Sequence, residues 1–220
     1  MIDLHTHSLF SDGVLVPAEL VRRAIVKGYE AIAITDHADG SNFDFIVPRI
    51  VLAAEELSGV WPITVIPGIE ITHVPPSMIA DLVREARELG AVWVVCHGES
   101  PVEPVEPGTN RAGILSGADM LAHPGFITKQ DAALAAKKGV YLEITARKGH
   151  SLTNGHVAKV ATEAGANIVI NTDGHEPGDL ITLEFAKQVL AGAGLDKKGV
   201  AKAIQNSREI VNNLLGGYVN

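Results

Sequence analysis

The chain has a single cysteine, Cys96. No intramolecular disulfide can form, and no thiolate zinc knuckle can be built. That agrees with a reducing compartment. No apolar run is long enough to cross a bilayer. The opening residues, MIDLHTHS, lack the basic stretch and apolar run of a secretory signal. The cytoplasm is therefore the expected location. Cationic residues are also scarce: 18 Lys and Arg against 26 Asp and Glu leave a net charge of -8. Such a chain is not steered toward nucleic acid or an anionic membrane, so neither a membrane nor a stable nucleic-acid partner is expected. Bound divalent cations would reverse the local field at one spot without changing that bulk reading. The sequence shows no domain linker, low-complexity tract or internal repeat, and it leaves the oligomeric state open.

What is present is an ordinary globular balance, 46% apolar and 20% charged over 220 residues. This suits one domain spanning residues 1–220. Short apolar runs alternate with helical patterns throughout. The expected strands are Met1–Leu4, Glu30–Thr35, Ile63–Ile69, Ala91–Cys96, Gly117–Ala122, Val140–Ile144 and Asn167–Asn171. Each is short and apolar, as strands buried on both faces are. The expected helices are Pro17–Lys27, Phe43–Ser58, Ser77–Leu89 with Ser77 as N-cap, Lys129–Lys138, Thr153–Ala164, Leu180–Ala191 and Lys197–Leu215. Glycine repeatedly follows a helix and precedes a strand, as αβ loops require. Strand then helix, about seven times over, means an α/β fold with a parallel sheet. The one irregular stretch, residues 98–113, is proline-rich and polar and reads as a long loop, a candidate lid.

Imidazoles and carboxylates gather where these strands end. His5 and His7 follow the first, Asp36 and His37 the second, Glu70 the third, His97 the fourth, His123 the fifth, and Asp173 with His175 the seventh. A closed barrel brings such ends together on one face. An open sheet would spread them along an edge, so the barrel fits better. Imidazole and carboxylate together suit zinc, manganese or iron. His5 and His7 are two apart, so on an extended strand they share a side, and Asp173 and His175 repeat the spacing. A lone histidine at a strand end is usually a hydrogen-bonded structural residue. Six of the nine histidines, aligned with carboxylates, are not explained that way. Burying so many ionisable groups without a cation would cost much free energy.

The motifs, taken in order, resemble those of the polymerase and histidinol phosphatase (PHP) superfamily. HTHSLFSDG (His5–Gly13) resembles its opening motif. ITDH (Ile34–His37), PGIE (Pro67–Glu70), the histidine of VCHGE (His97), AHP (Ala122–Pro124) and TDGH (Thr172–His175) resemble the later ones. TDGH has threonine where many members have serine before the aspartate. The resemblance implies a single-domain, distorted seven-stranded (βα)7 TIM-like barrel with a trinuclear centre of divalent metal ions (Zn, Mn or Fe). It implies that His5 and His7 bind one metal with Glu70 and Asp173. Glu70 would bridge to a second metal held by His97 and His123, and Asp12, His37 and His175 would hold the third.

On that reading the chain is a metal-dependent phosphatase or phosphoesterase. A metal-activated hydroxide would attack a small phosphorylated substrate, either histidinol-phosphate-like or a nucleotide phosphate. Glu70, His97 and Asp173 are its catalytic candidates, joined by Arg147 as the phosphate clamp. Arg147 and Lys148 lie just past the sixth strand, and Arg111 in the long loop; all three are candidates for substrate binding. The alternatives are a phosphodiesterase or exonuclease-type hydrolase, a hydrolase of C–N or C–O bonds, and a non-catalytic metal-binding module. Glu143 and Thr145 share a side of the sixth strand, and Glu143 is open between supporting a ligand, touching substrate and a structural role. Asp36 should turn from His37 toward a hydrogen bond that orients a neighbour. His150 and His156 are candidates to line the pocket, with His156 the ordinary one, on a helix. His73 has no assigned role. Cys96 should face away from His97 as an inert buried thiol.

Overall fold

The computed structural model describes residues 1–216. Strands β1 (Ile2–Asp3), β2 (Ala31–Ile34), β4 (Thr64–Ile71), β5 (Trp93–His97), β6 (Met120–Ala122), β7 (Tyr141–Thr145) and β8 (Ile168–Asn171) pair in that order, every ladder parallel. A two-residue strand, β3 (His37–Ala38), continues the line of β2 and pairs with the end of β4. The last strand returns to the first through a bridge between Thr6 and Gly174. The result is a nearly closed, TIM-like barrel of seven parallel strands. Side chains knit the seam as much as backbone does. The Leu4 amide donates to Asn171 Oδ1 at 2.8 Å, and Thr172 Oγ1 donates to Asp3 Oδ2 at 2.6 Å.

Helices α1 (Pro17–Val26), α2 (Phe43–Val60), α3 (Ile79–Glu88), α4 (Thr109–Leu115), α5 (Lys129–Lys138), α6 (Asn154–Ala164), α7 (Leu183–Gly192) and α8 (Lys197–Gly216) complete the described chain. Alternation along each strand builds two cores. In β2, Ile32 and Ile34 join the large cluster shared with the helices, while Ala31 and Ala33 join a smaller one. That smaller cluster includes Leu4, Trp93, Val95, Met120 and Val169, with Ile210 and Val211 supplied by α8. Cys96 falls in the helix-side cluster, opposite in parity to His97, and burial pushes its thiol up. It is the inert thiol the sequence suggested.

Helix ends follow local chemistry. Thr128 caps α5 by accepting from the Asp131 amide, and Gly139 ends that helix in a left-handed conformation. Two expectations fail. Ser77 is no N-cap: Pro76–Met78 form a 3-10 turn, and α3 begins at Ile79 with no side-chain cap. The stretch 98–113 is not loop throughout, because α4 starts at Thr109. Its Gly113 is required by packing, since a Cβ there would lie 2.6 Å from Cys96 Sγ. No described helix is long and apolar enough to cross a membrane.

Candidate metal centre

The parallel barrel carries its polar side chains to the C-terminal ends of the strands. Local backbone then aims them. After β1 the chain turns sharply, and a Cβ on Gly13 would lie 2.4 Å from the His7 carbonyl oxygen. Asp36 clamps the same turn: its carboxylate accepts from the Ser8 amide and Oγ and from the Ser11 amide and Oγ. It thus turns from His37 and orients a neighbouring segment, as the sequence suggested, fixing His7 and bringing Asp12 to the rim. His37 on β3 is in register with Glu70 on β4. Gly98 lets the strand ends close up beside His97, because a Cβ there would lie 2.2 Å from Ala122 O. His123 and Asp173 follow β6 and β8 with φ of 26° and 51°, conformations that L-residues rarely hold without a reason.

All nine expected ligands converge. His5, His7 and Glu70 form one group, and His5, His123 and Asp173 another; a third is Glu70, His97 and His123, and a fourth His7, Asp12, His37 and His175. Within each group the candidate ligand atoms lie within 4.8 Å of one another. His5 Nε2 is 3.4 Å from Glu70 Oε2, His7 Nε2 is 3.2 Å from Asp173 Oδ1, and His175 Nε2 is 3.1 Å from Asp12 Oδ1. Two donors on one tetrahedral ion, each about 2.1 Å from it, stand roughly 3.4 Å apart. The spacing is that of ligands sharing ions. His7 stands in two of these groups, so it adjoins the Asp12 set as well as His5 and Glu70.

The donor set fits divalent cations on a further observation. Among the described residues, eight buried side-chain nitrogen or oxygen atoms lack a hydrogen-bond partner. Seven belong to this cluster: His5 Nε2, both ring nitrogens of His7, both oxygens of Glu70, His123 Nδ1 and Asp173 Oδ1. Unpaired buried polar atoms are rare and costly, and so many in one cluster are what bound cations would satisfy. The histidines are also oriented from behind. His97 Nδ1 donates to Gly98 O at 3.0 Å and His175 Nδ1 to Asp173 O at 2.9 Å. His5 Nδ1 lies 2.9 Å from Glu143 Oε1, and His37 Nδ1 2.8 Å from Thr72 Oγ1. Each ring so held turns its Nε2 toward the cluster. His37 Nδ1 is also 2.7 Å from Glu70 Oε2, but it is spent on Thr72 and Glu70 gains no hydrogen bond from it.

Electrostatics follow from burial. Burial lowers His7 well below the usual imidazole range, and the charges of His37 and His5 push it further. Burial does the same to His123, helped by His97. Both rings are thus driven toward the neutral form, whereas neighbouring carboxylates outweigh burial and raise His5, His37 and His97. Burial pushes Asp173 up to about 6, against the pull of His5. Glu70 shares that burial, yet the charges of His5 and His37 bring its carboxyl well below the usual range.

The other expected residues divide. Arg147 reaches the cluster, with Nε 3.8 Å from Asp173 Oδ2 and Nη1 3.2 Å from Asp179 Oδ2. Lys148 is exposed. Arg111 is not brought to the site: it sits on α4, and its guanidinium pairs with Asp131 of α5 at 2.8 Å on the outer surface. The helix that replaces the expected loop carries it away. Glu143 is buried and holds two of the candidate ligands: Oε1 faces His5 Nδ1 and Oε2 accepts the His123 amide at 3.0 Å. Thr145 is buried and accepts from the Arg147 amide. His150 is buried and stacks on His123 with ring centroids 4.1 Å apart. His156, on α6, is ordinary and bonds to Ile127 O. Sequence reasoning missed Glu103, whose Oε2 lies 2.9 Å from both His73 Nε2 and His97 Nε2. Its only signal was its place in the long loop after His97.

The sequence model of the PHP domain matches residues 3–97, a span that holds six of the nine candidate ligands. An uncharacterized protein of Methanocaldococcus jannaschii is 53% identical over 198 residues, covering 89% of this chain and 91% of its own. A protein of Thermoanaerobacter sp. strain X514, named a probable phosphatase, is 26% identical over 218 residues, covering 89% of this chain and 87% of its own. A solved structure from Listeria monocytogenes, provisionally named a histidinol phosphatase, shares the fold with a TM-score of 0.57 at 12% identity, covering 82% of this chain and 97% of its own. Motifs, barrel and matched span agree: the chain belongs to the PHP domain family.

Proposed function

We propose that this chain is a phosphomonoesterase acting on a small phosphorylated substrate at a centre of three divalent cations. The coarser part, a metal-dependent phosphoesterase, follows from family membership and the phosphatase-named relative. The observation that carries the finer reading is the set of unpaired buried atoms on five motif residues, aimed at one another from different strand ends.

In this reading His5, His7, Glu70 and Asp173 hold one cation. Glu70, His97 and His123 hold the second, and Asp12, His37 and His175 the third. Bound cations supply Lewis acidity, lowering the pKa of water and neutralising phosphoryl oxygens. The protein supplies the rest. Glu143 holds the His5 ring and the His123 backbone in place. Asp12, with a side chain 58% exposed, leaves the cluster open to solvent and substrate on its own side. Arg147 clamps the phosphoryl group. When it leaves Asp179, that carboxylate keeps two donors, because its Oδ2 also accepts the His175 and Glu176 amides at 2.9 and 3.0 Å. A guanidinium beside the ligands then meets the transferred group with two donors.

The test is phosphate release from a panel of small esters: histidinol phosphate, sugar phosphates, and mono- and bisphosphorylated nucleotides. Protein reconstituted with manganese or zinc is assayed with and without chelator. Chelator-sensitive release from one compound well above the rest is the expected result. No release from any compound, with metal bound, would sink the monoesterase reading and favour phosphodiester hydrolysis.

A further inference from the structure

We propose that His73 and Glu103, together with His97, form a further divalent-cation position at the solvent side of the cluster, occupied by an ion on its way to the buried position among Glu70, His97 and His123. No motif of the sequence carries His73 or Glu103. The proposal rests on the reading of the buried residues as ligands, and not on the substrate.

The donor atoms of His73, His97 and Glu103 lie within 4.8 Å of one another. Glu103 Oε2 is 2.9 Å from His97 Nε2 and 2.9 Å from His73 Nε2. The bond from His97 Nδ1 to Gly98 O leaves Nε2 as the ring atom turned toward Glu103. A cation entering there takes the place of the proton held between that nitrogen and the carboxylate. Donors at right angles on one ion, each about 2.1 Å away, stand roughly 3 Å apart. His150 steadies the carboxylate from the far side, its Nε2 3.3 Å from Glu103 Oε1 and its Nδ1 bonded to Ser100.

Backbone strain marks His73 as part of the same machinery. Among the described residues three non-glycine positions have positive φ: His123, Asp173 and His73, the last at 53°. The first two are buried ligands by the reading above. A strained turn at His73 persists because it aims the ring at His97.

One ring nitrogen serves one ion. His97 Nε2 therefore belongs to the outer trio or to the inner one, not to both at once. The inner ligands are nearly inaccessible, with Glu70, His97 and His123 at most 2% exposed. His73 and Glu103 each expose 35% of their side chains. An ion arriving from solvent meets the outer pair first and passes inward on His97.

The experiment is cobalt(II) uptake by the chelator-stripped full chain, followed by stopped-flow visible absorption. The wild-type protein should fill in two phases. In His73→Ala and Glu103→Gln the early phase should vanish and filling of the buried position should slow about tenfold, the scale for removing a group that supports a ligand. The number of ions bound per chain at equilibrium should stay that of the wild type. Both variants filling at the wild-type rate would overturn the proposal. So would either variant binding one ion fewer at equilibrium, since the residue would then be a permanent ligand. A wild-type chain that takes up no cobalt would overturn the metal centre itself, and this position with it.

Discussion

Glu143 Oε1 lies 2.9 Å from His5 Nδ1, so a buried carboxylate on β7 fixes a ring that follows β1. The same side chain accepts the His123 amide at 3.0 Å and the Asn171 side-chain amide at 2.9 Å. Three donors thus meet one carboxylate across the barrel. Glu143→Gln keeps the shape but turns an amide N–H toward one of those donors. Metal affinity should fall about 10- to 100-fold, the cost of losing a group that orients a ligand, with the far-ultraviolet circular dichroism unchanged. Competition against a chelator measures it. Unchanged affinity would make Glu143 a structural residue only.

Arg147 is the one cation of the three expected that stands beside the ligands. A hydrogen bond to a charged group is worth about 1.5–3 kcal/mol. Arg147→Ala should then lower kcat/KM by about 10- to 100-fold, with metal content unchanged. Arg111→Ala and Lys148→Ala should leave it near the wild-type value, because one pairs with Asp131 and the other is exposed. Equal losses in all three would point to a diffuse field rather than a clamp.

The barrel and the convergence of the candidate ligands were legible because both are written locally. Strand, polar residue, helix and glycine recur in order, and every candidate ligand but Asp12 sits within a few residues of a strand end. Helix α4 was hidden because it has only seven residues, and the glycine that looked like a loop end serves a contact with Cys96. The position of Arg111 failed with it. Glu103 was invisible for a different reason. It is one of several acidic residues in GESPVEPVEPG, and only the folding of that segment back over His97 distinguishes it.

Cation removal should cost stability. A ligand that binds only the folded chain at about a hundred times its Kd adds about 2.7 kcal/mol. For a chain of this length that raises the melting temperature by roughly 5–10 °C. Scanning calorimetry with manganese or zinc, against chelator, should show the gap. His123→Ala should narrow it, because that ring faces both Glu70 and Asp173. A gap unaffected by the substitution would place the bound ions elsewhere.

Asp3 makes the seam of the barrel sensitive to pH. It is fully buried and accepts from the Thr172 amide and hydroxyl. Burial pushes its carboxyl up to about 6 from an ordinary 3.8, against the pull of those bonds. Between these values the unfolded chain gives up a proton that the folded chain still holds. Stability contributed by this group is therefore present at low pH, falls as pH rises through the window, and is constant above it. Asp3→Asn cannot titrate. In urea unfolding with chelator present, the variant should gain on the wild type between pH 4 and pH 6, and the difference should be level beyond. The comparison is the informative quantity, because every other titrating group is common to both proteins. A difference that does not change with pH would mean that Asp3 is ionised throughout, with the Thr172 bonds outweighing burial at the seam.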